Sequence, residues 1–231
     1  MVAAASRAAS FAAEYNRVLD RLEANPDEVI SGYEVDFSRA GTGGRKGKGG
    51  LSCKVLCAIR ETCLNRIGLK DAFKHVKRKE NIESLLVLDH IVAEVEKCRS
   101  AVERMELSLR GCFAGNLFDL GAHFTSEKYE ESQMQQRVEN PWQAFQRTRE
   151  NLPRRPWLID CLDIAVQELS QKGRFKKAIV FADNAGSDLI CGILPFCREL
   201  IKAGTRVVIA ANEKPSINDI TAEELVALFT R

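Results

Sequence analysis

The chain of 231 residues carries a formal net charge of +2, with 45% hydrophobic and 29% charged residues. These values suit a globular protein of one large or two small domains. So small a charge gives no argument for nucleic acid or an acidic membrane surface, and no apolar run approaches the roughly 18–20 residues of a membrane span.

In chain order, Phe11, Tyr15, Val18, Leu19 and Leu22 recur at helical spacing and predict an amphipathic first helix. The same Ala/Ser-rich start with Arg7 also has the look of an organelle transit peptide, against which stand Glu14 and Asp20. A break at Asn25, Pro26 and Asp27 follows, and then the Gly/Lys-rich stretch 38–50. That stretch lacks the GxxxxGK[ST] pattern of a phosphate loop. It reads as a flexible insertion, or else as a polyanion contact through Arg45, Lys46 and Lys48. Residues 51–67 have helical spacing closed by Gly68, and residues 73–80 and 83–96 continue as helix. Lys74, Lys77, Arg78 and Lys79 are expected on a solvated face, and residues 100–109 add another amphipathic helix.

In 111–122, GCFAGNLFDLGA, Asn116 and Asp119 are three apart and share one face of a helix. Two readings stand: an amide and a carboxylate aimed into a pocket, or a helix cap with a first-turn charge. Residues 125–151 are polar and helical in character, and 159–172 form another amphipathic helix. From 177 the periodicity changes. A short apolar run ends in Asp183 and Asn184, a helix-length segment runs from Asp188 to Ala203, and a second apolar run leads to Asn212, Asn218 and Asp219. The expected fold class is therefore α/β: a helical amino-terminal subdomain followed by a Rossmann-like βαβ layer.

Open α/β sheets place ligands at the carboxyl ends of their strands. The small residues Ala185, Gly186 and Ser187 before a helix amino end would let N–H groups approach a phosphate. A carboxylate at Asp183 repels a bare phosphate, so the combination calls for a divalent cation with oxygen ligands, Mg²⁺ or Mn²⁺, with Asp219 to complete the cluster. The competing reading makes Asp183 and Asp188 caps and gives Asn218 and Asp219 the cap of the last helix. Without GxGxxG, a dinucleotide oxidoreductase is disfavoured. Eight scattered cysteines show no CxxC pair and no grouping with His75, His90 or His123, which argues against zinc and for reduced thiols in a cytoplasmic protein.

The pieces FADNAGSD at 181–188, GILPFCREL at 192–200, NEKPSIND at 212–219 and AGNLFDLGA at 114–122 resemble the metal-dependent damage-control phosphatases of the ARMT-like fold. RPWLID at 155–160 and the piece Lys77, Glu80, Asn81 point the same way, and the resemblance is greatest to the eukaryotic branch with the pantothenate-kinase-associated phosphatase domain. It implies metal-dependent hydrolysis of phosphomonoesters, with Mn²⁺, Mg²⁺, Co²⁺ or Ni²⁺ held by Asp183, Asn184 and Asp219. Asp183 also counts among the catalytic groups, and Asn116 and Asp119 line the site. The implied partner is a small phosphorylated metabolite, 4′-phosphopantetheine or its damaged forms, with no role for nucleic acid or membrane. The family continues past NEKPSIND with further strands, a GMGR-like loop and phosphate-binding basic residues, so the expected layer is truncated. Three parts are expected: 1–50, the first helix and the Gly/Lys-rich insertion; 51–173, helical; and 174–231, a partial Rossmann-like metal-binding subdomain. The alternative is a non-catalytic module that binds metal or a phosphorylated ligand.

Overall fold

The computed structural model describes residues 10, 12–18, 20–21, 53–117 and 141–230. The Gly/Lys-rich stretch 38–50 and the candidate residue Asp119 lie outside them. The chain forms two compact units, Met1–Ala72 and Phe73–Arg231. In the first, residues 12–18 are helical and helix α1 spans Cys53–Arg66. Its Ile59 and Cys63, one turn apart, are fully buried. Arg66 of α1 pairs with Glu14 at 2.9 Å.

The second unit begins with α2 (Lys74–Lys97), α3 (Ala101–Leu117), α4 (Pro141–Glu150) and α5 (Leu162–Ser170). Strand β1 (Lys177–Phe181) follows, then a π-helical turn (Asp188–Ile193) that runs straight into α6 (Leu194–Lys202). Strand β2 (Arg206–Ala210) and α7 (Ala222–Phe229) complete the order. The two strands are parallel, with Lys177 opposite Arg206 and Phe181 opposite Ala210. Parallel strands need a long crossover, and the π-turn with α6 supplies it. The α/β architecture with a helical first part is the one expected.

Alternation along the strands decides which side of the sheet the helices cover. Ala178, Val180 and Val207 pack on a core of Met105, Leu162, Val166 and Leu200 from α3, α5 and α6. On the other face Ile179, Phe181 and Val208 are exposed. A second core joins Leu189, Ile190 and Ile193 of the π-turn to Ile220 and to Leu225 of α7. A third joins Val87, Ile91 and Val95 of α2 to Ala114 of α3 and Phe145 of α4. The buried Glu199 of α6 is tied to α3 by a 3.0 Å bond from Arg104 Nε.

Two expectations need correction here. Lys77 is not on a solvated face: it is 0% exposed, with Nζ 2.8 Å from Glu224 Oε2 of α7. Sequence periodicity placed it among basic neighbours, but the partner that makes its burial tolerable is 147 residues away. Nor does the stretch that begins at Gly111 open a new helix. Helix α3 runs through it to Leu117, so Asn116 stands in a last turn and caps no helix start.

α3 continues so far because its small residues let it lie against the π-turn. A Cβ on Gly115 would meet the Ser187 carbonyl oxygen at 2.7 Å and Asp188 Cα at 3.0 Å. Only glycine permits that approach of two backbones. Ser187 Oγ then donates to the Gly115 carbonyl at 3.2 Å.

Candidate metal and phosphate site

Past the end of β1 the chain stays extended by one further pairing, Ala182 N–H to the Ala210 carbonyl at 2.7 Å. It then meets the segment 218–220. Ala185 N–H donates to the Asn218 carbonyl at 2.9 Å, and Ile220 N–H donates to the Asp183 carbonyl at 2.8 Å. These two bonds flank an antiparallel bridge between Asn184 and Asp219. In such a non-hydrogen-bonded pair the opposed residues approach most closely, with Cα atoms about 4.5 Å apart and side chains on one face. Asn184 and Asp219, 35 positions apart in sequence, are thus set side by side by the backbone, and Asp183 is next to them at the strand tip.

Asp219 Oδ2 accepts a 2.6 Å bond from Asn212 Nδ2, which ties it to the end of β2. Asn184 is buried while Asp183 is exposed. Among the described residues no cation pairs with the Asp183 carboxylate. Ile217, two residues before Asp219, has φ 47, a left-handed conformation that costs a β-branched side chain. Strain of this kind persists only where the surroundings hold it, and here they hold the turn that presents Asp219.

The first three N–H groups after Asp183 are bonded to the protein. Asn184 N–H donates to Asp188 Oδ2 at 3.2 Å. Ala185 N–H goes to the Asn218 carbonyl, as above, and Gly186 N–H donates to Asn81 Oδ1 of α2 at 2.7 Å. The expectation that these small residues offer N–H groups to a phosphate is therefore overturned for Ala185 and Gly186. The Asp188 carboxylate that takes the Asn184 N–H is itself buried. Gly186 itself has φ +73, and a Cβ there would meet Glu80 Cβ at 2.8 Å.

Both cap readings fail as well. The N-cap of the π-turn is Ser187, while Asp188 binds back to Asn184. Helix α7 is capped by Thr221, whose hydroxyl accepts from Glu224 N–H at 3.2 Å while Glu224 Oε2 accepts from Thr221 N–H at 2.9 Å. Asn218 and Asp219 stand outside this capping box. Asn116 is exposed in the last turn of α3, one residue beyond the Gly115 contact with the loop.

In the sequence Lys77, Glu80 and Asn81 count only as a piece of the family resemblance, with no place in the site, yet they line the underside of both loops. Besides Glu224, Lys77 Nζ donates to the Asp219 carbonyl at 3.3 Å. Burial pushes the Glu224 carboxyl up, but the bonds from Lys77 and Thr221 outweigh it and hold it below the ordinary value. A cleft of about 280 Å³ opens alongside, lined by Lys74, Arg78, Ile82 and Leu85 of α2 and Leu228 of α7. The signal available in the sequence was a polar residue at each inward position of a helix, 77, 80, 81 and 84.

The RPWLID piece is structural. Arg155 Nε is 2.7 Å from Asp160 and Nη1 is 2.7 Å from Asp163. Their hydrogen bonds to the guanidinium hold both carboxyls below the usual range. Trp157 packs edge-on to Phe113 of α3 with ring centres 5.4 Å apart.

Thiol chemistry has no support at this edge. Burial, with help from the Asp188 charge, pushes the Cys112 thiol up to about 12; burial alone takes Cys191 to about 12 and Cys197 to about 11. Such thiols stay protonated near neutrality and are poor nucleophiles.

What remains at the strand ends is a donor set of oxygen atoms: the carboxylates of Asp183 and Asp219 and the amide of Asn184. Among the described residues no three His, Cys, Asp or Glu side chains gather. Two carboxylates and an amide fit a hard divalent ion that keeps several waters, and do not fit zinc held by nitrogen and sulfur. Open α/β sheets place their ligands at the carboxyl ends of parallel strands, where these three residues stand.

The chain belongs to the family of the damage-control phosphatase ARMT1-like domain, whose model matches residues 4–231. It is 36% identical over 228 residues to a damage-control phosphatase of Arabidopsis thaliana, covering 99% of this chain and 54% of that protein. It is 34% identical over 183 residues to the 4′-phosphopantetheine phosphatase of Mus musculus, covering 79% of this chain and 21% of the mouse protein. Pantothenate kinase 2 of Arabidopsis thaliana is likewise 34% identical, over 77% of this chain and 19% of that protein. The chain thus spans about half the length of the first relative and about a fifth of the other two.

Proposed function

We propose that this chain takes part in metal-dependent hydrolysis of small phosphomonoesters, with Asp183, Asn184 and Asp219 holding the divalent cation. The observation that carries the reading is the bridge that sets Asn184 opposite Asp219 beside the strand-tip Asp183. The loop N–H groups strengthen it: those of Asn184, Ala185 and Gly186 are spent on protein acceptors, which favours a cation to receive an anion at this edge. When bound, such an ion polarises a phosphoryl oxygen and lowers the pKa of a coordinated water. The chain's own part is to fix three oxygen donors on two braced loops and to keep thiols out of the chemistry. Asn116 and Asp119 are assigned to the phosphate side of the site; that assignment rests on the AGNLFD piece and on family membership.

The proposed substrate is 4′-phosphopantetheine or an oxidised form of it. The support is the likeness to the mouse 4′-phosphopantetheine phosphatase and to a protein named for pantothenate phosphorylation. Mn²⁺, Mg²⁺, Co²⁺ and Ni²⁺ all suit the donor set. A cytoplasmic setting belongs to the same proposal. Its support is that Cys57, Cys63, Cys98, Cys112, Cys161, Cys191 and Cys197 are free thiols. In addition, no helix among the described residues is long and apolar enough to cross a membrane.

The test is phosphate release from 4′-phosphopantetheine with each metal and with chelator, for the wild type and Asp183→Ala. Turnover that needs metal and is lost in Asp183→Ala supports the reading. Metal binding without turnover would favour a non-catalytic binding module, and full activity in Asp183→Ala would overturn the ligand assignment.

A further inference from the structure

One helix touches both loops that carry the donor set. Lys77 and Asn81 are four residues apart on α2 and therefore share a face, one turn above the other. Asn81 Oδ1 accepts the Gly186 N–H at 2.7 Å, two residues beyond Asn184. Lys77 Nζ donates to the carbonyl of Asp219 itself at 3.3 Å and is anchored by Glu224 at 2.8 Å. Each bond is to a backbone group, so each fixes where a loop lies, leaving the donor oxygens untouched. The buried stripe of α2 explains why such costly groups are there. Its first three turns bury Lys77, Glu80, Asn81 and Ser84, while the later turns bury Val87, Ile91 and Val95. Buried polar side chains need partners, and these two find them on the ligand loops.

We infer that Lys77 and Asn81 are positioning residues: a two-point clamp that sets the spacing of the 183–186 loop against the 217–219 loop and so tunes cation affinity. Neither touches the cation or a substrate. The clamp rests on the reading that Asp183, Asn184 and Asp219 hold a divalent ion. Its action is distinct from simple stability because it sets the distance between two donor groups, which a folded protein with a loosened clamp would no longer hold.

The experiment is calorimetric titration of Mn²⁺ into the full chain, with thermal melting of every sample to fix the folded fraction. The variants are Asn81→Leu, the charge-balanced pair Lys77→Met with Glu224→Gln, and the exposed α2 control Lys79→Met. The double change leaves no lone buried charge, which guards against loss of the fold. Outer partners of metal ligands are worth about 10–100-fold in affinity. The expectation is a loss of that size per folded molecule for Asn81→Leu and for the double variant, with Lys79→Met like the wild type. Folded variants that bind Mn²⁺ as tightly as the wild type overturn the clamp while leaving the donor set intact. A wild type that binds no Mn²⁺ overturns the donor set itself, and the clamp with it.

Discussion

The two halves of α2 bury different things. The half from Val87 onward places Val87, Ile91 and Val95 against Ala114, Phe145 and Cys191, an apolar stripe of the ordinary kind. The half before it places a lysine, a glutamate, an asparagine and a serine inside, and the aliphatic residues Ile82, Leu85 and Leu86 outside. Hydrophobic burial is strong and undirected, whereas a buried hydrogen bond gives little net stability but fixes where its partner lies. The same helix therefore serves two ends: its second half holds the unit together, and its first half holds two loops in place. Substitutions in the two halves should separate along those lines.

The largest effect is expected at the buried ion pair. Glu224→Gln removes the charge that balances the buried Lys77 ammonium and should cost roughly 3–5 kcal/mol in chemical denaturation. Lys77→Met should cost clearly less, because the Glu224 side chain it leaves is 27% exposed and reaches solvent. Equal costs for the two would contradict the account of which partner is trapped. Next comes Ile91→Ala, from the apolar half, at about 3 kcal/mol by lost burial and an unfilled cavity. Mn²⁺ affinity per folded molecule should not change in that variant; a tenfold loss would erase the contrast between the halves.

Acid should act on the polar half through Glu224. Glu224 has its carboxyl held below the ordinary 4.5 in the folded state, so its contribution is complete above that value. It is lost as pH falls through the lower folded value. The stability gap between wild type and the Lys77→Met, Glu224→Gln pair should thus narrow on acidification, measured by denaturant midpoints at a series of pH values. Thr221→Ala removes the cap of α7 and should cost about 1 kcal/mol. Smallest of all, Leu86→Gln on the outer face should stay within about 0.5 kcal/mol of the wild type.

Much of the site's skeleton was legible in the residues. The short apolar runs before Asp183 and Asn212, with a helix-length segment between them, could only close as strand, crossover and parallel strand. Asp183, Asn184 and Asp219 were legible because polar residues at strand ends stand out. What escaped was whatever depended on distant partners. The burial of Lys77 cannot be seen without Glu224, and Gly115 looks like any helix glycine until the Ser187 carbonyl is placed 2.7 Å from its missing Cβ. The 185–187 loop was read as an anion cradle because small residues before a helix are the usual sign of one. Asn218 and Asn81, both from elsewhere in the chain, take the N–H groups of Ala185 and Gly186. The helix-cap reading of Asn116 fails because close packing on the π-turn carries α3 on to Leu117.

The central claim is that the bridge between Asn184 and Asp219, with Asp183 beside it, is a cation site. The most direct measurement is the anomalous scattering of crystals of the full chain grown with Mn²⁺. A single strong peak within bonding distance of oxygens from all three residues is the result expected. A peak ligated by other residues, or crystals saturated with Mn²⁺ that show none at this edge, would contradict it.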